Sequence, residues 1–328
     1  MESYIFEGTM TALSSISHSG GQSFGINAKL RREKFVQSDG QVEEIPVLSG
    51  NGLRGMLRDR GMLHMCRALG YGINEQAGTL TGLNLPAFYF LFSGGTLTKD
   101  SGRGLDIELA RRLRALIPLV GIFGGAVGNQ ILPGRLKVGK AIPICLETAH
   151  LLPARFLNGD HARTTIWDYL QEEMYTRKDD EKNEQLRQLM APQTLQLLDG
   201  QRQAQAVRQA AAEVDPDVGE HQQMRYYVET FAAGTCFYWY IVLDDPTNVE
   251  FEAFVTTLAE FSKLPYVGGR SATGLGKVSV NFDKWFKIEP HIEPAAGRAE
   301  IGFAIGTRYA EHLKAHAGEI RALLDSLR

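Results

Sequence analysis

Residues 265–278 read Pro265-Tyr266-Val267-Gly268-Gly269-Arg270-Ser271-Ala272-Thr273-Gly274-Leu275-Gly276-Lys277-Val278, a glycine-rich loop around one arginine that runs into an alternating apolar strand. Glycines let a backbone come close to a bulky anion and expose consecutive N–H groups, while the arginine and hydroxyls supply further donors. A phosphate chain suits such a loop; a sharp turn between a helix and a strand uses the same residues. A second stretch of this character lies far upstream, at Ser49-Gly50-Asn51-Gly52-Leu53-Arg54-Gly55.

On either side of the loop the periodicities are clear. Phe251 to Leu264 reads as an amphipathic helix and Leu275 to Phe282 as a strand. Met224–Phe231 and the aromatic run Cys236–Leu243 read as two strands around a Gly234-Thr235 turn. Tyr4–Leu13 reads as a first strand, and Ser14–Asp39 as a polar loop or hairpin too long for a simple turn. Ser49 is a good N-cap for a helix reaching Leu69, on which Arg54 and Arg58 share a face. Gly52 and Gly55 each cost that helix roughly 1 kcal/mol against alanine, which makes sense where something must approach closely. Leu105 to about Val120 reads as a helix with Arg111, Arg112 and Arg114 clustered, and Gly134–Ile144 as a strand. A helix from Arg308 to Leu327 closes the chain.

The order of strand, helix, interrupted strands, hairpin, helix and strand is that of a split βαβ domain. The expected class is α+β, with a ferredoxin-like or RNA-recognition fold.

The chain has 328 residues, 44% hydrophobic and 22% charged, with a net charge of −3. Residues 1–170 carry 18 Lys and Arg against 14 Asp and Glu, and the remainder 17 against 24. A basic half and an acidic half suit a local binding groove, or head-to-tail stacking of copies. Cys66, Cys145 and Cys236 are scattered without metal-ligand spacing, which argues against a disulfide framework or a zinc site. No secretion signal or membrane span is expected, and the anticipated location is cytoplasmic.

In this order the pieces resemble the RAMP superfamily of CRISPR effector proteins, most closely the guide-RNA-binding backbone subunit of type IV complexes. The likeness rests on Thr9-Met10-Thr11-Ala12-Leu13-Ser14, on Ile45–Gly55 and on Ile122-Phe123-Gly124-Gly125. It continues through Tyr175-Thr176-Arg177-Lys178-Asp179, Ala233–Phe237 and Gly268-Gly269-Arg270-Ser271, and spans Tyr4 to about Phe282.

The resemblance implies an RNA-recognition-like palm over 1–152 and 224–288 and a largely helical thumb insertion over 153–223; outside it, 289–328 is expected to form a C-terminal extension with a helix. It implies a subunit without catalytic activity, metal or cofactor. Its partners would be guide RNA, copies of itself in a head-to-tail filament, other CRISPR effector subunits, and target DNA or RNA by way of the guide. Ser49, Gly50, Asn51, Arg54 and Arg58 would hold guide phosphates at a helix N-terminus, where the dipole and free N–H groups favour an anion. Gly268, Gly269, Arg270 and Ser271 would line the backbone path. His18, Ser19, Arg31 and Arg32 in the first loop, and Phe123, Gly124 and Gly125 at the middle break, are further expected RNA contacts. So are Arg155 and Arg163, and Arg177 and Lys178 where the thumb begins. The aromatic strand Phe237–Tyr240 offers bases to stack on, or simply core.

Three other readings stand beside this one. Some RAMP proteins are metal-independent endoribonucleases with an early histidine, and His18 is the only candidate here. Type III backbone subunits cut target RNA with an aspartate after the first strand; Asp39 is the nearest, in a Ser-Asp-Gly sequence that is equally a plain turn. A ferredoxin-like domain that binds a metabolite or scaffolds a complex needs no RNA at all.

Overall fold

A computed structural model describes residues 3–20, 27–74, 79–95, 106–128, 130–157, 160–176, 191–193, 195–197, 199–200, 203–204, 225–288 and 307–327. Strand β1 (Ser3–Ala12) leads into a loop and the strands β2 (Asn27–Ala28), β3 (Arg32–Val36) and β4 (Val42–Pro46), the last two forming a hairpin. Helix α1 (Gly50–Ala68) follows, then a ribbon of β5 (Gly72–Asn74) and β6 (Thr79–Thr81), and a short α2 (Leu85–Phe88). Next come α3 (Ile107–Leu116), α4 (Pro118–Phe123), the ribbon β7 (Gly125–Val127) and β8 (Gln130–Leu132), then β9 (Leu136–Val138) and β10 (Ile142–Pro143). The chain continues with β11 (Leu170–Thr176), β12 (Arg225–Phe231), β13 (Cys236–Asp244), α5 (Asn248–Lys263), β14 (Val278–Ile288), α6 (Thr307–Ala315) and α7 (Ala317–Asp325).

The central sheet has the order β10-β13-β1-β14, with β9 also on β13, and every pairing is antiparallel. This is the α+β palm expected from the order of elements, with β1 and β13 in the middle. Alternation decides which side is core: Phe6, Met10, Phe237, Trp239 and Ile241 are buried, while Glu7, Thr9 and Tyr238 between them are not. Helices α1 and α5 cover the buried side, where Phe6 meets Phe254 edge-on at 5.2 Å. Helix α5 begins with a full capping box, the Thr247 hydroxyl accepting the Glu250 amide and the Glu250 carboxylate accepting that of Thr247.

The C-terminal helices belong to the same core. Tyr309, Leu313, Ile320, Leu323 and Leu324 are buried in it, and the Tyr309 amide donates to Glu252 Oε2 at 3.1 Å. The extension therefore packs on the palm. It is two helices, not one: His316 leaves helical geometry at φ −105°, two residues before Gly318, a poor helix former.

Three further elements differ from the sequence reading. The helix expected over 105–120 breaks at Ile117, which leaves the helical region (φ −117°, ψ 88°) as the residue before a proline tends to, and α4 starts on that proline. The strand expected over 134–144 is two pieces, because the Tyr240 ring lies against Gly139 and Ala141 bridges Leu48. Leu170–Thr176, read as part of a helical insertion, is a strand along β12, so the insertion leaves the palm through an antiparallel ribbon. Ala154–Phe156, Asp160–Arg163 and Ile166–Tyr169 form short 3-10 turns, and most of the expected helical thumb, with Arg177 and Lys178, lies outside the described residues.

Candidate nucleic-acid interface

Ser49 sits at the N-cap of α1 with extended backbone (φ −68°, ψ 135°), and its hydroxyl accepts the Gly52 amide at 3.1 Å. His18 completes this cap. Its Nε2 accepts the Ser49 amide at 3.0 Å and lies 3.0 Å from Ser49 Oγ. Since Nε2 is an acceptor, the ring proton belongs on Nδ1. Burial, followed by the charge of Arg31, holds the His18 pKa below its ordinary value and keeps the ring neutral. Gly50 has to be glycine: a Cβ there would stand 2.3 Å from the Val138 carbonyl oxygen. The first turn of α1 carries no acidic side chain, and Asn51 is exposed there.

The glycine-rich loop joins the same place one residue earlier. Ser17 and Gly269 form an isolated antiparallel bridge, and the Gly276 amide donates to the Ser15 carbonyl at 2.8 Å. Arg270 adopts a left-handed conformation (φ 60°) and opens a 3-10 turn over Ser271–Thr273. Among the described residues the amides of Arg270 and Ser271 have no hydrogen-bond acceptor. Both residues are exposed. Two stretches more than two hundred positions apart thus meet at the dipeptide Ser17-His18.

Basic side chains flank this junction. The Arg31 amide donates to the His18 carbonyl at 2.9 Å, and its guanidinium is exposed. Lys140 is carried there by the Leu48–Ala141 bridge. Glu33 pairs with both, with Lys140 closely and with Arg31 Nε at 3.9 Å. Lys140 had no motif to mark it in the sequence; only strand pairing brings it to the helix N-terminus. Ser19 is exposed beside Arg31, opposite Leu30.

Other expected RNA contacts are placed differently. Arg58 is buried, its Nη2 2.6 Å from the Phe123 carbonyl and 3.2 Å from that of Gly124, with the guanidinium 5.8 Å from the Phe123 ring centroid. Arg54, half-buried, also donates to the Phe123 carbonyl. These two arginines satisfy the last carbonyls of α4. Phe123 and Gly124 are themselves buried, which takes them off any surface an RNA touches in this conformation. Half-buried Gly125 packs on the Phe90 ring. Arg32 pairs with Glu229 of β12, whose other oxygen accepts the Leu30 amide. Arg155 pairs with Glu7 on the outer sheet face and stacks on Phe156 at 4.4 Å, away from the junction. Arg163 is exposed on a 3-10 turn.

The aromatic strand is core and cover. Phe237 and Trp239 are buried, Tyr238 lies under Phe156 and donates to Glu7, and Tyr240 lies on Gly139. Asp39 closes the β3–β4 turn, its Oδ1 accepting the Gln41 amide at 3.0 Å.

No family model matches the sequence, and no curated protein sequence matches it significantly. Among solved structures, a chain of a type IV-B CRISPR complex superposes with a TM-score of 0.55, at 22% identity over 92% of this chain and 96% of that one. The chain has the fold of a type IV-B CRISPR complex chain. The likeness is one of architecture over nearly the whole length of both chains. Among the described residues no helix is long and apolar enough to cross a membrane, and no three His, Cys, Asp or Glu side chains group as metal ligands.

Proposed function

We propose that this chain is a non-catalytic backbone subunit of a CRISPR ribonucleoprotein. In this reading it holds guide RNA by its phosphates, independently of sequence. Copies line up head to tail along the guide in the cytoplasm with other effector subunits, and the spacer is presented to target DNA or RNA. One observation carries the reading: Ser17-His18 fastens the N-terminus of α1 and the Gly268–Ser271 loop into one donor-rich face flanked by Arg31, Lys140 and Arg270. Backbone amides, a helix dipole and cations suit a phosphate chain and carry no base readout. The shared fold supports it.

The endoribonuclease alternative draws no support from the geometry. The Nε2 of His18 is committed to the Ser49 amide, and Asp39 to a turn.

The test is direct. Purified protein should bind labelled single-stranded RNAs of unrelated sequence with similar affinity, losing it steeply with salt, and leave them uncut on incubation. Failure to bind at low salt refutes the proposal, and cleavage abolished by His18→Ala replaces it with the enzymatic reading.

A further inference from the structure

Alternate residues of β11 face the glycine-rich loop and the end of β1. Gln171 Nε2 donates to Ser15 Oγ at 2.8 Å and to Glu173 Oε1 at 3.1 Å. The Tyr175 hydroxyl donates to Glu173 Oε2 at 2.6 Å, and Thr230 Oγ1 donates to Glu173 Oε1 at 3.3 Å. The guanidinium carbon of Arg270 lies 5.7 Å from the centroid of the Tyr175 ring. Backbone bonds from Gly269 to Ser17 and from Gly276 to Ser15 close the circuit on the loop side.

Each part of this circuit has a physical purpose. Burial pushes the Glu173 carboxyl up, but hydrogen bonds from Tyr175, Ser15, Gln171 and Thr230 outweigh it and hold the group below its ordinary value. An anionic Glu173 orients the phenol, and the oriented ring presents a face to Arg270. Arg270 is a non-glycine residue at φ 60° and one of the exposed cations of the interface. A long, exposed arginine otherwise samples many rotamers, and a ring beneath it reduces that freedom. Tyr175 is also the penultimate residue of the strand that leads into the insertion.

We propose that Tyr175 is a positioning residue: its ring, held by Glu173, aims Arg270 at the RNA backbone and couples the base of the insertion to the phosphate-binding loop. This rests on the RNA-binding reading above.

The experiment uses the full chain with a fluorescein-labelled single-stranded RNA in anisotropy titrations, and arginine Nε–Hε NMR spectra without RNA. Expected is an upfield, ring-shifted Arg270 Hε in wild type that is reduced in Y175F and lost in Y175L. Y175L should bind RNA about three- to fivefold more weakly, the scale of one exposed cation–π contact, and Y175F, which keeps the ring but loses its hydrogen bond to Glu173, should fall between Y175L and wild type. Y175L/R270Q should be no weaker than R270Q alone. Should Y175L fail to fold, E173Q, which keeps the ring and replaces the anionic acceptor of the phenol with a neutral one, is expected to give a smaller loss of affinity and a reduced shift.

A weakened R270Q beside an unchanged Y175L, a retained Hε shift in Y175L, or multiplicative losses in the double variant overturns the positioning role and leaves RNA binding standing. Absence of RNA binding by wild type overturns both.

Discussion

The carbonyl oxygen of Ser17 accepts the Gly269 amide at 2.8 Å, and this contact sets the glycine-rich loop beside the helix N-terminus that His18 caps. Gly268, one position earlier, has φ 74°, and a Cβ there would stand 2.2 Å from the same oxygen. At Gly269 the corresponding distance is 4.0 Å. Gly268→Ala should therefore destabilise the fold by about 2 kcal/mol or more, whereas Gly269→Ala should melt like wild type. Thermal denaturation of the two variants side by side checks this, and equal melting would show that the loop is not held against Ser17.

Arg58 is a structural cation. Replacing it with methionine preserves the stem but leaves the Phe123 and Gly124 carbonyls short of a buried donor. Arg58→Met is expected to cost about 1–3 kcal/mol, read as a lower denaturant midpoint. RNA affinity of the folded fraction should change little.

Glu33 neutralises part of the interface by pairing with Arg31 and Lys140. Glu33→Gln should tighten RNA binding and steepen its salt dependence, with log K falling faster against log salt by about 0.7 for each additional phosphate neutralised. Titrations at several salt concentrations measure both. An unchanged slope would remove Arg31 and Lys140 from the RNA path.

His18 gives the fold a pH dependence of known sign. Its folded pKa lies below the ordinary value, so the unfolded chain binds more protons and stability rises with pH. The cap's contribution is fully present above the unfolded value of about 6.5 and is lost as pH falls below it through the folded value. Wild-type melting should drop between neutral and acidic pH more than that of His18→Gln, which carries no titrating ring. Parallel profiles would contradict the assigned cap.

Residues 307–327 contribute Tyr309, Leu313, Ile320, Leu323, Leu324 and Leu327 to the core. At roughly 1.5–3 kcal/mol per buried side chain, their removal exceeds much of the usual 5–15 kcal/mol stability of a domain. Truncation after Ile305 should yield insoluble protein, scored by the soluble fraction on expression; a soluble, cooperatively melting product would mean that the extension is dispensable.

Much of the fold was legible in the sequence because its signals are local. The period of two in Cys236–Leu243, the period near four in Phe251–Leu264 and the serine before Gly50 all act within one turn or one pleat. The misreadings were also local: Pro118 marks a break that the apolar pattern of 105–120 hides, and the glutamates of Leu170–Thr176 mask a strand that exists because β12 pairs with it. Of the candidate site, both stretches that meet at Ser17-His18 are visible as glycine-rich segments.

The amino-acid order by itself determined the α+β class, the succession of strands and helices, and two segments able to take an anion. Only the tertiary structure decided that Ser17-His18 joins them, that Arg54 and Arg58 turn inward to the carbonyls of α4, and that Lys140 and Tyr175 stand beside that junction. The reason is range. Backbone preference and amphipathic period are set by neighbouring residues, whereas the partner of a charged side chain is whichever donor or acceptor the packed sheet carries to it, from a place the chain's own sequence does not mark.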